Sequence, residues 1–153
     1  MPIDKVLVER KTALILEDIL HLEPISKHTL TEFIEKYEYE VLSERYLERI
    51  IGRMIDINFH IITELGHTPP RDYYGSFLQM GKLSVLPIAL SEKLAHSAGL
   101  RNRIAHEYDE IDEKQIYSAI KSCLKDVPEY LACVRKFIAK NHLCPSPKNG
   151  KKR

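Results

Sequence analysis

Apolar residues recur along this chain at intervals of three and four, which is the spacing of one face of an α-helix. The first such segment runs from Ile3 to about Leu22, and Pro24 is expected to end it. A start signal follows at Thr29, whose hydroxyl can form a capping box with the Glu32 carboxylate. These signals predict two helix starts within the first third of the chain.

A longer apolar stripe continues from this start signal to about Leu65. Gly66 and the Pro69-Pro70 pair are expected to stop the helix there. The residues of the stripe are Val41, Leu42, Tyr46, Ile50, Met54, Ile57 and Ile61.

The third quarter of the chain carries two shorter helix signals. Asp72 is a candidate N-cap for a short helix from Tyr73 to Met80, with Gly81 behind it. Ser84 is expected to cap a further helix, which would carry the apolar positions Leu86, Leu90, Leu94 and Ile104.

The last predicted helix opens at Asp112, whose carboxylate can cap the N–H groups of Lys114 or Gln115. Pro128 lies inside this helical pattern and is expected to kink the helix without ending it. The sequence contains no period-two strand pattern, no glycine-rich phosphate loop and no internal repeat. The pattern therefore predicts an all-α fold, an antiparallel bundle of about five helices.

Composition fits one folded domain. The chain has 153 residues, 44% of them hydrophobic and 29% charged, with a formal net charge of +1. Such a composition excludes disorder of the whole chain and a general polycation. We expect the helical domain to span residues 1–140 and residues 141–153 to form a flexible basic tail with four basic residues and no acid. That tail is either a solvated end or a mobile arm that attracts RNA phosphate.

The compartment is inferred from the N-terminus and the cysteines. Charged residues interrupt the first twenty positions, so no signal peptide is indicated, and no run is long enough for a membrane span. The three cysteines, Cys123, Cys133 and Cys144, are odd in number and lack C-x-x-C spacing. They predict neither a disulfide framework nor a metal site, and they favour a reducing cytoplasm.

One stretch, from Gly99 to Tyr108, combines a permanent cation, an amide, an imidazole and a phenol. His106 can take a proton from a ribose 2′-hydroxyl or return one to a leaving oxygen. Arg101 can stabilise charge on phosphorane oxygens, and Asn102 can orient the imidazole or bind phosphate. Together these groups can cleave RNA without a metal, with the 2′-hydroxyl as nucleophile.

The spacing alone leaves a second interpretation open. Arg101 and His106 are five residues apart, so they lie about 140° apart on an ideal helix and need not converge within one chain. Arg101 and Arg103 are then surface charges, and His106 is a helix-terminal histidine favoured by the macrodipole.

The segment Arg101-x4-His106-x-Tyr108 resembles the R-x4-H-x-Y motif of HepT-like toxins, which are small all-helical HEPN-domain proteins. The resemblance extends over about Val41 to Ile138. It includes Glu44-Arg45-Tyr46-Leu47, the run from Ile55 to Ile62, the Pro-Pro turn, Leu100-Arg101-Asn102, Glu107-Tyr108 and Ile111-Asp112.

The resemblance implies a role for each motif residue. Arg101 and His106 would form a ribonuclease site that Asn102 assists, and a partner nucleotidyltransferase of the MNT type would transfer AMP to Tyr108 and silence the toxin. Family members form two-fold dimers, which bring both motifs into one composite cleft. The chain would thus be the toxin of a type VII-like toxin–antitoxin system, a metal-independent endoribonuclease without cofactor. Its substrate would be RNA, with transfer RNA among the candidates. The alternative is a non-catalytic helical binding partner of a minimal nucleotidyltransferase.

Several other residues are weaker candidates. Asp56 is expected on the long helix, where the family often has an acid near the cleft, and it can orient His106 or pair with Arg101; a plain surface role fits it equally. Arg103 is a second candidate for a supporting role. His60 and His67 share a helix face but lack a third ligand at matching spacing, so we expect them to be solvated.

Two further groups could contact nucleic acid. Tyr73 and Tyr74 can stack on bases, although packing against the bundle is the commoner role of such a pair. Arg45, Arg49 and Arg53 form a row that is either a phosphate track or a solvated face.

Overall fold

The computed structural model describes residues 2–106 and 111–142. Over these ranges the secondary structure is helical throughout, and no strand is present. The helices are α1 (Lys5–Ser26), α2 (Leu30–Glu35), α3 (Tyr37–Glu64), α4 (Tyr73–Lys82), α5 (Ile88–His106) and α6 (Glu113–His142). This confirms the prediction of an all-α bundle, with six helices in the described part of the chain where about five were expected.

The long helix α3 lies at the centre and contacts each of the other five helices. Four of its predicted core positions, Ile50, Met54, Ile57 and Ile61, are buried, whereas Val41 and Leu42 at the start of the predicted stripe are exposed and Tyr46 is half-buried. α1 and α6 pack beside it, and α4 and α5 pack against each other on its other side. Burial of these apolar side chains supplies the main driving force for the bundle.

The predicted helix caps are present. Thr29 and Glu32 make both hydrogen bonds of a capping box, at 3.2 and 2.8 Å. The Asp72 carboxylate accepts the Gly75 N–H at 2.6 Å. Asp112 accepts a first-turn N–H of α6 at 3.0 Å. Each cap satisfies a backbone donor that the helix itself leaves without a partner.

The extra helix arises where one long helix was predicted. Lys36 leaves the helical conformation, with φ −112° and ψ 96°, and separates α2 from α3. Phe33 of α2 is fully buried and packs 5.3 Å from the Tyr117 ring of α6. Because α3 runs along α1 while α2 packs towards α6, the chain has to turn between them.

Two predicted boundaries were wrong. Pro24 lies inside the last turn of α1, where it removes only one hydrogen bond and the burial of Ile25 compensates. Ser84 does not cap α5; it adopts a positive φ of 62° in the turn after α4. α5 starts at Ile88 because Pro87 restricts the conformation of the residue before it.

α6 is described as far as His142, two residues beyond residue 140, where the helical domain was expected to end. The domain boundary itself stays a prediction. As predicted, Pro128 does not end α6. Residues 143–153 lie outside the described part of the chain, so the predicted flexible tail stays a prediction. None of the described helices combines the length and the apolar character that a membrane crossing requires.

A buried chain of hydrogen bonds joins three helices. The Tyr130 hydroxyl of α6 donates to Asn58 Oδ1 of α3 at 2.7 Å. Asn58 Nδ2 donates to Ser76 Oγ of α4 at 3.1 Å, and Ser76 Oγ donates to the Tyr73 carbonyl at 2.7 Å. Tyr130, Asn58 and Ser76 are all fully buried. We call this arrangement the Asn58 relay; it fixes α4 and α6 against α3.

Substitution of Asn58 by leucine tests the energetic weight of this relay. Asn58→Leu removes two buried hydrogen bonds, although the Tyr130 hydroxyl keeps the Met54 carbonyl and the Ser76 hydroxyl keeps the Tyr73 carbonyl as acceptors, so we expect a loss of about 1–3 kcal/mol in unfolding free energy. Urea denaturation measures it, with Asn141→Leu on the exposed end of α6 as the control. A loss below about 0.5 kcal/mol would show that the relay adds little to stability.

Candidate active site

The motif residues occupy the C-terminal turns of α5. Arg101 and Arg103 are half-buried, whereas Asn102 and His106 are exposed. His106 is the last residue of the helix, and the helix dipole favours positive charge at that end. Tyr108 lies outside the described residues.

Arg101 is held beside an aromatic ring and a small cavity. Its guanidinium carbon lies 5.5 Å from the centre of the Tyr73 ring, within the range of a cation–π interaction. The Arg101 Nε is shielded from solvent and has no hydrogen-bond partner among the described residues. The adjoining cavity has a volume of about 170 Å³ and is lined by Gly52, Ile55, Asp56, Phe59, Tyr73 and Arg101. The Arg101 side chain thus borders the cavity, and its Nε is without a hydrogen-bond partner in the described part of the chain.

Tyr73 is the residue whose role at the site the sequence did not reveal. It was expected to pack on the bundle or to stack on bases. In the structure its ring packs edge-on against Phe59, with centroids 6.2 Å apart, and supports Arg101. Tyr74 points elsewhere, with its ring edge-on to His96 at 5.8 Å. No sequence signal links Tyr73 to Arg101, because the two residues are 28 positions apart.

His106 does not share the surroundings of Arg101. It is exposed at the end of α5, about 140° around the helix from Arg101, as the sequence spacing predicts. The Asn102 side chain stays near Arg101, with Oδ1 3.5 Å from the Arg101 Nη1. One chain therefore presents the arginine and the histidine in different directions.

Arg103 connects the motif to α6. Its Nη2 donates to Gln115 Oε1 at 2.8 Å. This hydrogen bond fixes the end of α5 against the start of α6, on either side of residues 107–110. Arg103 thus supports the position of the motif through α6.

Asp56 lines the cavity next to Arg101, but its ion-pair partner is a different residue. The Lys11 ammonium of α1 lies 2.9 Å from Asp56 Oδ2. Within the described residues, Asp56 makes no ion pair with Arg101 or His106. Asp56 therefore lines the same cavity as Arg101, and its ion pair with Lys11 ties it to α1.

Two of the three arginines in the row on α3 form ion pairs with a buried acid. Arg49 Nε and Arg53 Nη1 lie 3.1 and 2.7 Å from Oδ2 of Asp18, a residue that is only 1% exposed. Arg45 pairs with Glu48 at 3.3 Å. The row joins α3 to α1 and is not free to form a phosphate track. A hint in the sequence was Asp18 itself, which stands among apolar residues of α1.

The histidines and cysteines outside the motif do not form a second candidate site in the described part of the chain. His60 Nε2 accepts the Asp4 N–H at 2.9 Å, and His67 is exposed. Burial and the nearby Asp126 carboxylate raise the pKa of the Cys123 thiol to about 12, so that this thiol stays protonated at neutral pH. Within residues 2–106 and 111–142, no three His, Cys, Asp or Glu side chains come together as metal ligands would. Cys144 lies outside the described residues.

Comparison with solved structures identifies the bundle. A HEPN toxin from Shewanella oneidensis, described as tri-AMPylated and in complex with MNT antitoxin, superposes with a TM-score of 0.77 at 21% identity. The match covers 85% of this chain and 97% of that one. YutE of Bacillus subtilis, a cytosolic protein of unknown function, gives a TM-score of 0.79 at 15% identity and covers 95% and 96% of the two chains. At these identities the matches show a common fold.

Sequence comparison goes further. The family described as Ribonuclease HepT-like matches residues 15–134. A protein of Aphanizomenon flos-aquae named tRNA nuclease HepT is 32% identical over 136 residues, which are 89% of this chain and 92% of that protein. These two matches show that the chain belongs to the HepT-like ribonuclease family, an assignment that supports endoribonuclease activity.

Proposed function

We propose that this ribonuclease is the toxin of a type VII-like toxin–antitoxin system, and that it cleaves RNA without a metal through Arg101 and His106. The observation that supports the proposal most is the position of the Arg101 guanidinium. The guanidinium lies over the Tyr73 ring and beside a small cavity, five residues before an exposed histidine. Membership of the HepT-like family supports the assignment of the reaction. We propose the cytoplasm as the compartment, because RNA substrates are found there.

The chemistry is an in-line attack by a ribose 2′-hydroxyl on the adjacent phosphate. The 2′-oxygen forms a bond to phosphorus while the bond to the 5′-oxygen of the next nucleotide breaks. An imidazole of His106 takes the 2′-hydroxyl proton, and a protonated imidazole returns one to the leaving oxygen. Arg101 stabilises the charge that builds on the non-bridging oxygens, and Asn102 binds beside it. The products are a cyclic 2′,3′-phosphate and a 5′-hydroxyl.

A two-fold dimer would complete this site. Because Arg101 and His106 diverge by about 140° on one helix, convergence on one phosphate is easier if two copies contribute. A pair of motifs facing each other also provides two imidazoles, one for each proton transfer. The resemblance to HepT-like toxins supports this arrangement.

The substrate and the partner are proposed from relatives. The name of the Aphanizomenon flos-aquae relative supports transfer RNA as a substrate. The Shewanella oneidensis structure, an AMPylated toxin with its MNT antitoxin, supports a nucleotidyltransferase partner. Tyr108 stands two residues after His106 and is the proposed acceptor of AMP. AMP there would add negative charge and bulk at the mouth of the RNA cleft and so repel the substrate.

His106→Ala should abolish RNA cleavage measured in the presence of EDTA. Loss of a general acid–base group lowers the rate by about 10²–10⁴-fold. The matched control is His96→Ala, which removes another exposed histidine of α5 and should retain activity. Intact mass should first establish that Tyr108 carries no AMP.

Retained cleavage by His106→Ala would overturn the assignment of the acid–base group. Absence of cleavage by the unmodified protein, on both transfer and messenger RNA, would favour the non-catalytic binding partner instead.

Tyr108→Phe should keep the toxin active in cells that also express the nucleotidyltransferase, because the variant lacks the hydroxyl that accepts AMP. Growth inhibition and intact mass measure the result, and Tyr74→Phe is the control that should still be modified and neutralised. A Tyr108→Phe protein that still gains AMP and loses toxicity would contradict the proposed acceptor.

A further inference from the structure

Helix α1 is apolar on two opposite sides. Its inner side is buried in the bundle through Val8, Ile15 and Leu22. On the outer side, Val6 is 65% exposed, Leu16 40% and Leu20 68%, and Ala13 between them is also exposed. We call these four residues the α1 outer face: Val6, Ala13, Leu16 and Leu20. At about 100° per residue they form a stripe within roughly 80° of the helix circumference, and Glu9 is the one charged residue of α1 inside that sector.

Such a stripe is unusual on a helix whose other side already packs in the core. A surface helix needs one apolar face, and a second one is characteristic of an interface. Beside the stripe, a groove of about 390 Å³ separates α1 from α6. Its apolar lining includes Leu16, Val134 and Ile138. The groove offers space for an apolar side chain from a partner.

The charges that flank the stripe have a regular arrangement. Arg10 and Glu17 lie on one flank, and Lys5 and Glu23 lie on the other. Arg10 and Glu17 are about 10 Å apart along the axis, too far to pair within the helix. In the described residues neither makes an ion pair. Each flank therefore has a base near the N-terminus of the helix and an acid near its C-terminus.

We propose that the α1 outer face binds the same face of a second copy of this chain, with the two α1 helices antiparallel about a two-fold axis at Ala13. Val6 then lies opposite Leu20 of the second copy, and Ala13 opposite its own equivalent. The small Ala13 side chain lets the two helix axes approach closely at the two-fold axis. Such an interface is isologous, so each contact occurs twice.

Charge complementarity favours this occupant and this orientation. In an antiparallel pair, the same flanks of the two helices face each other. Along the helix axis, Arg10 then lies within about one residue of the position of Glu17 of the second copy. Lys5 lies within about two residues of the position of Glu23 of the second copy. A parallel two-fold pair would instead bring opposite flanks together, with Arg10 nearest Lys5 and Glu17 nearest Glu23 of the second copy. Glu9, which also lies within the stripe, comes level with Glu17 of the second copy and is partly balanced by Lys5 at 3.9 Å.

This surface is separate from the candidate active site. Lys11 of α1 holds Asp56 at the Arg101 cavity, and it lies roughly 140–180° around the helix from the α1 outer face. The interface therefore leaves the Arg101 cavity open and is independent of the proposed function. If the motif dimer also forms, the two interfaces together give an assembly larger than a dimer.

A cysteine at the proposed two-fold axis tests the interface directly. In the full-length chain, Ala13→Cys should form a disulfide-linked dimer under mild oxidation, seen on a non-reducing gel and lost on reduction. Lys125→Cys, exposed on α6, controls for random collisions, and the unsubstituted chain controls for the native cysteines. We expect the yield from Ala13→Cys to exceed both controls at least about fivefold.

Charge reversal then tests the orientation. Added to Ala13→Cys, either Arg10→Glu or Glu17→Arg should lower the yield about tenfold, because each places like charges together twice. The double variant Arg10→Glu/Glu17→Arg should restore it. A yield equal to the controls, or one that charge reversal leaves unchanged, would overturn the proposal. Cross-linking of Ala13→Cys to another protein in preference to itself would also overturn it.

Discussion

The buried amide of Asn58 is the constraint on which the geometry of the site depends. It lies in the C-terminal half of the central helix α3, and its two ends have different partners: Oδ1 accepts from Tyr130 of α6, and Nδ2 donates to Ser76 of α4. Since all three side chains are fully buried, no water competes for these hydrogen bonds. The burial that protects the relay also raises the pKa of the Tyr130 phenol well above its usual range, so Tyr130 remains a donor.

The relay reaches Arg101 through one further contact. Ser76 holds the carbonyl of Tyr73 in the first turn of α4, and the Tyr73 ring lies under the Arg101 guanidinium. Packing therefore positions the guanidinium in advance, which is what its proposed role in catalysis requires. His106 is the opposite case, because it is exposed at the last residue of α5.

Much of the fold could be predicted from the sequence because helix signals are local. The Thr29–Glu32 capping box, the Asp72 and Asp112 caps and the α3 stripe are each formed by residues close together in the chain. The errors occurred where distant contacts decide the outcome. Phe33 is drawn towards α6 and breaks the expected long helix, and burial of Ile25 carries α1 past Pro24.

The site shows the same division. The motif and its position at a helix end could be read from Arg101, Asn102 and His106 alone. Three contacts could not be predicted, since each joins residues on different helices. They are the support of Arg101 by Tyr73, the hydrogen bond from Arg103 to Gln115 and the ion pair of Asp56 with Lys11. Asp18 shows how such a contact changes the interpretation of the arginine row. Its buried carboxylate forms ion pairs with Arg49 and Arg53, which from the sequence could have formed a phosphate track.

In the proposed reaction RNA itself supplies the nucleophile, Arg101 stabilises the charge on the phosphate and His106 transfers the protons. Mass spectrometry of the product ends after cleavage in EDTA tests this, together with a substrate that carries a single 2′-deoxyribose at the cleavage position. We expect a cyclic 2′,3′-phosphate with a 5′-hydroxyl, and no cleavage of the deoxy-substituted site. A 5′-phosphate product, or unchanged cleavage at the deoxyribose, would show that water is the nucleophile and that the proposed reaction is wrong.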